Sequence, residues 1–295
     1  MNLTSNPYLQ LMRLERPVGT LLLLWPTLGA LWMASEGLPD IALILVFASG
    51  TAIMRAAGCV INDIADRKFD GRVERTLQRP LATGVVTTKS AMILLFLLLL
   101  AASALLVFFN PLTRWLALGG LGIATLYPFM KRWTYLPQVV LGAAFSWGLL
   151  MAFAAVQNSL PAVAWLAFVA SLLWIVAYDT LYAMVDREDD LRIGIKSTAI
   201  LFGAADRLMV GVLQIAALVT FLLVGEQLEY QTFYLVGVAS AACLFVYQQI
   251  LIRSREPAKC FSAFANNVWV GFALFAGIVA EVHLAPVLAT LLEAV

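Results

Sequence analysis

Apolar residues in this chain fall in long blocks rather than at the spacing of one helix face or one strand face. The blocks cover residues 20–34, 41–61, 91–109, 115–130, 139–156, 163–182, 208–224, 232–252 and 268–287. Each is about as long as a helix needs to cross a bilayer, roughly 20 residues. The two shortest, 20–34 and 115–130, need flanking residues to complete the crossing. The pattern therefore predicts an all-α, polytopic membrane protein with about nine transmembrane helices, forming one integral-membrane domain over residues 1–295. An odd number of spans puts the two termini on opposite sides.

Composition agrees with this pattern. The 295 residues are 62% hydrophobic and 13% charged, about half the charged share of a soluble domain, roughly 25%. The positive charges then test the count. Of 19 Lys and Arg, 18 lie before the first span, toward the end of span two (Arg55) or in connections that nine spans place on one side, and only Arg114 lies on the other. Positive residues mark the cytoplasmic side of a membrane protein, so the N-terminus and the charged loops are expected there. The start, "MNLTSNPYLQLMRLERP", lacks the pattern of a cleaved signal peptide, and span one is expected to serve as an uncleaved insertion signal. Cys59, Cys243 and Cys260 show no paired spacing and read as buried thiols. His283, the single histidine, lies near the end of the last span and reads as interfacial. So few His and Cys argue against zinc or haem.

Two acidic stretches interrupt the apolar pattern. In "NDIADRKFD" (62–70), Asn62, Asp66 and Asp70 stand at i, i+4 and i+8, with Asp63 at the edge of that face. In "YDTLYAMVDREDD" (178–190), Asp179, Tyr182, Asp186 and Asp190 step by three, four and four, with Asp189 beside them. On continuous helices each set shares one face. The first set ends span two and the second ends span six, a pattern expected of an internal parallel duplication. Like charges at a membrane boundary repel, so a cation is the natural compensation. Carboxylate and amide oxygens suit a hard ion, and Mg²⁺ commonly completes its shell with water and substrate phosphates. Basic residues follow the acids: Arg72, Arg75 and Arg79, then Lys131 and Arg132, then Lys196. Guanidinium forks and ammonium groups are common phosphate partners. Acids for a metal and bases for phosphate, at the face of a membrane, point to a diphosphate with a lipid tail. Arg67, Lys68, Arg187, Arg253 and Arg255 read instead as topology or surface charges. Arg55, within span two, is a candidate for an anionic group of a substrate, since an intramembrane arginine is costly without a partner.

These motifs resemble those of the UbiA superfamily of intramembrane aromatic prenyltransferases. "NDIADRKFD" is similar to its NDxxDxxxD motif, and "YDTLYAMVDREDD" to its second aspartate motif. "RLERPVGTLLLLWPTLGALWMA", "VERTLQRPLATG", "YPFMKRWTYLPQVVLG", "GIKSTAILFG" and "NNVWVGFALFAGI" extend the likeness along the chain, toward the branch that serves ubiquinone synthesis. The resemblance implies a nine-helix fold around a chamber open sideways to lipid. It implies Mg²⁺-dependent transfer of a polyprenyl group from its diphosphate to 4-hydroxybenzoate, at the ring carbon meta to the carboxylate. By the motif match Asn62, Asp66, Asp70, Asp186 and Asp190 hold the metal, with Asp66, Asp70, Asp186 and Arg132 central to catalysis. Arg55, Arg75, Arg79, Lys131, Tyr178, Tyr182 and Lys196 are then expected around the substrates. The expected location is a bacterial inner membrane. The expected partners are the two substrates and the bilayer, with no nucleic acid and no obligate protein partner.

Three rival readings stand beside this one: another intramembrane transferase, a transporter, and a non-catalytic scaffold, which leaves both acidic faces unexplained. A related transferase with another aromatic acceptor, or a haem-farnesylating enzyme, shares the same motifs. A phosphatidyl transferase wants a DGxxAR-type motif, which is absent. An ion-coupled transporter fits intramembrane acids and an internal repeat, but these acids gather at one membrane face rather than at the midplane.

Overall fold

A computed structural model describes residues 6–67, 70–72 and 74–293. Among these residues every regular element is helical. Twelve α-helices follow in order: α1 (Pro7–Leu11), α2 (Val18–Ser35), α3 (Ile41–Asp66), α4 (Thr88–Ala104), α5 (Pro111–Trp133), α6 (Pro137–Gln157), α7 (Ala162–Val185), α8 (Arg187–Ile193), α9 (Thr198–Phe202), α10 (Asp206–Gln227), α11 (Thr232–Leu251) and α12 (Pro257–Glu293). Local chemistry sets many of these boundaries. The side chains of Asp40, Thr87 and Asn110 accept hydrogen bonds from the opening backbone N–H groups of α3, α4 and α5. Pro111 and Pro137 stand where α5 and α6 begin, where the missing N–H costs nothing.

Nine of the twelve helices are long, and they match the nine predicted spans. Most outrun the apolar blocks by a few residues, because helices continue past the hydrocarbon; α12 begins eleven residues before its block. Eight stretches are long and apolar enough to cross a membrane. The exception is α5, whose 23 residues include Arg114, Lys131, Arg132 and several glycines. Those glycines have a packing reason. The Trp147 indole of α6 lies so close that a Cβ on Gly120 would sit 2.7 Å from it, and one on Gly119 3.1 Å.

The long helices form two adjoining rings that share α2 and α6. One ring is α2, α3, α5 and α6, with α4 packed outside α3. The other is α6, α7, α10, α11, α12 and α2. The main core fills the second ring around Trp174, Tyr178, Phe153 and Tyr234. Polar side chains also join helices there. Gln214 donates to Gln248 (2.8 Å), Gln248 to Asn266 (2.9 Å), and the Trp174 indole to Asn267 (2.8 Å). Glu281 of α12 accepts the backbone N–H groups of Gln231, Phe233 and Tyr234 at 2.7–3.0 Å, capping α11. His283 accepts from the Trp32 indole at 3.1 Å, in line with a structural role away from the acidic motifs. Cys59 and Cys260 are buried as expected, whereas Cys243 is exposed on α11. An apolar thiol on a lipid-facing surface has no need of burial.

Candidate active site

A cavity of about 960 Å³ opens inside the first ring and reaches α7. Its deep walls are apolar, formed by Val46, Phe47, Leu105, Phe109, Phe145 and Met151. At one end it gathers the acids and bases singled out in the sequence. Asn62, Asp66, Asp70, Asp186 and Asp190 all line it, as do Arg55, Arg75, Arg79, Lys131, Tyr178, Tyr182 and Lys196. The cavity thus has the shape of an amphiphile, with a charged head region and an apolar body.

The backbone brings the acids together differently from the predicted faces. α3 ends at Asp66, and Asp70 sits on a separate short turn, Asp70–Arg72. The Arg67 guanidinium donates to the Ile64 carbonyl at 3.0 Å, satisfying a terminal acceptor of α3. The Thr76 hydroxyl bonds the Asp70 carbonyl at 2.7 Å and holds the turn. In the second motif α7 ends at Val185, Asp186 stands at the break, and Asp190 lies on α8. Each predicted continuous face is therefore a helix end plus a bend, and the bend is what turns the last acids over the mouth of the cavity. Lys68 lies outside the described residues, as does the Arg72 side chain.

Most of these acids have a basic partner. Arg75 forks onto Asp186 through Nε (2.9 Å) and Nη2 (2.5 Å), and its guanidinium stacks 4.6 Å from the Tyr182 ring centroid. Arg79 places Nη1 2.9 Å from both oxygens of Asp70. Lys131 bonds Asp66 Oδ2. Lys196 donates to the Trp133 carbonyl at 3.2 Å and lies 5.3 Å from the Tyr135 ring. Arg132, predicted to be central, lines no part of the large cavity. It donates to the Ala65 carbonyl (2.6 Å), lies 3.7 Å from Asp66 Oδ1, and borders a separate small pocket outside α3. Of the adjacent Lys131 and Arg132, then, the lysine faces the cavity and the arginine flanks it. Asp189 also lies off the cavity and pairs with Arg192 at 3.4 Å on the exposed side of α8.

Electrostatics at this end favours an added cation. Burial pushes the Asp190 carboxyl up to about 7, and the neighbouring Asp186 charge adds to this. Burial also raises Asp70, with Asp63 adding and Arg79 opposing. Burial works against the charge on Arg79, but Asp63 and Asp70 outweigh it and its pKa rises. Asp66 is buried, and its Oδ1 accepts no hydrogen bond. The Arg132 guanidinium at 3.7 Å offsets its charge without a hydrogen bond, so the oxygen keeps room for a metal ion. Among the described residues no three His, Cys, Asp or Glu side chains already converge as a closed cage. That suits Mg²⁺, which binds through one or two carboxylates while water and phosphate oxygens fill the rest. The donor set, carboxylates and one amide, fits the ion.

Arg55 projects from α3 into the cavity. Its Nη1 donates to Cys59 Sγ at 2.7 Å, and its buried Nε has no hydrogen-bond partner. The guanidinium occupies space left by Gly19, where a Cβ would stand 2.4 Å from Nη2. Asp179 and Tyr127 line the same region. The Tyr178 hydroxyl, also buried, has no partner.

Several residues that matter here were read as something else in the sequence. Asp63 is fully buried and accepts from Arg13 Nη2 at 2.8 and 3.0 Å. Arg187 and Arg255, expected as topology or surface charges, both pair with the fully buried Asp206, at 3.0 and 2.8 Å. Arg187 directly follows Asp186, so this clamp ties the second motif to the starts of α10 and α12. A lone aspartate at a span boundary was the available signal for Asp206; nothing local pointed to Arg13.

Comparison with known proteins agrees with this geometry. Residues 23–277 match the UbiA prenyltransferase family. A 4-hydroxybenzoate octaprenyltransferase of Alcanivorax borkumensis is 57% identical over 275 residues, 93% of this chain and 95% of its own length. One from Pseudomonas aeruginosa is 54% identical over 274 residues, 93% of each chain. Among solved structures, the apo structure of a UbiA homolog from Aeropyrum pernix K1 superimposes with a TM-score of 0.78. It is 25% identical, over 89% of this chain and 97% of that one. A UbiA homolog from Archaeoglobus fulgidus bound to GPP and Mg²⁺ gives 0.64 at 19% identity, over 92% of this chain and 99% of that one, a likeness of fold.

Proposed function

The chain belongs to the UbiA prenyltransferase family, and on that premise we propose that it transfers a polyprenyl group from its diphosphate to 4-hydroxybenzoate in ubiquinone synthesis. The observation that carries the reading is the cavity itself. Both acidic motifs and their basic partners stand at one end of it, and apolar side chains form the rest. The close relatives' names supply the acceptor and an octaprenyl donor.

Arg75, Arg79, Lys131 and Lys196 hold the diphosphate, and Asn62, Asp66, Asp70, Asp186 and Asp190 supply oxygens to Mg²⁺ beside it. When bound, the ion neutralises charge on the departing diphosphate. The apolar walls take the isoprenoid chain and keep water from the allylic carbon. The C1–O bond breaks, the diphosphate leaves, and C1 bonds to the ring carbon ortho to the phenol. Tyr178 and Tyr182 line this region, and an aromatic ring beside the allyl group favours positive charge on it. Arg55 holds the acceptor's carboxylate, which orients the ring. The ring proton passes to a cavity carboxylate; Asp179 lines the cavity and has no ion pair among the described residues. The lysines and arginines around the motifs favour a cytoplasmic position for this end of the bundle, in a bacterial inner membrane, and the two similarly placed motifs support a single domain with an internal duplication.

Purified protein given 4-hydroxybenzoate and octaprenyl diphosphate should form the prenylated acid with Mg²⁺ and not with EDTA. Absence of product with Mg²⁺, in detergent that preserves the fold, would sink the reading.

A further inference from the structure

The family match begins at residue 23, yet the preceding segment reaches the site. Leu11 is fully buried against Val60, Val86 and Ala91, which docks α1 on α3 and α4. Arg13 follows in the left-handed region, φ 58°. That conformation is uncommon for a residue with a Cβ. From there Nη1 donates to the Gln10 carbonyl at 2.8 Å, while Nη2 meets both oxygens of Asp63. Asp63 Oδ1 also stands 3.1 Å from Nη1 of Arg79. Arg79 Nη1 in turn bonds both oxygens of Asp70. Arg13, Asp63, Arg79 and Asp70 therefore form one chain of alternating charges, and all four line the cavity.

The motif places Asp63 beside the expected metal ligands Asn62, Asp66 and Asp70. Its oxygens are instead committed to two guanidinium groups in a fully buried position, and breaking such a pair is strongly unfavourable. The consequence falls on Arg79. Its protein acceptors all sit at Nη1, which leaves Nε and Nη2 without one among the described residues. That edge is the fork that suits a phosphate. We propose that Arg13 and Asp63 are positioning residues that pin Nη1 of Arg79 and so present its Nε–Nη2 edge to the donor's diphosphate. The N-terminal segment is thereby part of the donor site. This rests on the reading of Arg79 as a diphosphate partner.

The test is the affinity of the full chain in detergent for a prenyl S-thiolodiphosphate with Mg²⁺, by calorimetry, beside the KM for 4-hydroxybenzoate. Arg13→Ala and Asp63→Asn should each weaken analogue binding about tenfold, the scale of coupling between touching side chains. The KM for 4-hydroxybenzoate should not change. Either effect should largely vanish in an Arg79→Ala background, because both residues act through Arg79. Unchanged analogue affinity in both single variants, or a full effect persisting without Arg79, overturns the proposal. So does failure of both variants to fold, which would make the pair a folding clamp only. If Arg79→Ala alone binds the analogue normally, the fault lies with the reading of Arg79 itself.

Discussion

Arg75 and Asp186 meet across the mouth of the cavity in a two-bond fork, with the Tyr182 ring stacked on the guanidinium. They stand 111 positions apart, and the pair joins the loop after the first motif to the break in the second. An ammonium group cannot reproduce a planar fork or stack in the same way. Arg75→Lys should therefore raise the KM for the polyprenyl diphosphate about tenfold, on the scale of a charge-assisted hydrogen bond. The KM for 4-hydroxybenzoate should stay the same. Steady-state kinetics with each substrate varied in turn gives the answer, and equal changes in both constants would contradict it.

Asp66 and Asp186 come from opposite motifs. Asp66→Ala and Asp186→Ala should each abolish turnover, and each should remove the Mg²⁺ dependence of donor-analogue binding measured by calorimetry. Robust activity in either variant would take that residue out of the metal site. EDTA should reproduce the loss in the unaltered protein, and added Mg²⁺ should reverse it.

Arg55 is the cavity's candidate for the acceptor's carboxylate. Arg55→Ala should raise the KM for 4-hydroxybenzoate at least tenfold, in line with loss of a hydrogen bond to a charged group, and leave the donor KM unchanged. Gly19→Ala should act in the same direction but less, since its Cβ would displace the guanidinium rather than remove it. An unchanged acceptor KM in a folded Arg55→Ala variant would sink the assignment.

Glu281 lies away from the cavity and caps α11 through three backbone N–H groups. Glu281→Ala leaves those donors without their partner, the Tyr234 N–H in a buried position, at a cost of about 1–3 kcal/mol. Thermal unfolding in detergent should show a lower midpoint, while kcat at permissive temperature stays near normal.

The spans were legible because hydrocarbon imposes one simple demand, some twenty apolar residues, and most of the nine blocks came close to it, the short glycine-containing block of α5 least. The members of the site were legible because acids and bases are rare in such a chain and cluster where they occur. Their arrangement was not. Helical spacing placed Asp70 and Asp190 on continuous faces, whereas α3 and α7 both stop first, where the chain leaves the apolar blocks and turns over the cavity. Nor does spacing tell which of two adjacent cations turns inward, so Lys131 and Arg132 were separated only by the structure. Asp63 and Asp206 were hidden for a further reason. Their arginine partners lie far along the chain, and pairing over such separations leaves no periodicity to read.

α4 carries one last consequence. Residues Thr88–Phe108 number 21, have the highest hydropathy of any candidate span, and include a single buried residue, Ala91. At 1.5 Å per residue they measure about 31 Å, close to the thickness of the hydrocarbon layer. With so little of its surface against protein, this segment is a depth gauge: it fixes how low the whole bundle rides in the lipid. Its Thr88 end lies on the same side as the loop from Asp66 to Pro80, so the charged mouth is held at the height of the headgroups. On the proposed function, a diphosphate carried on a lipid would stay at the level it already occupies, while its chain stays among the acyl tails. The donor's charged group would then not need to sink into hydrocarbon.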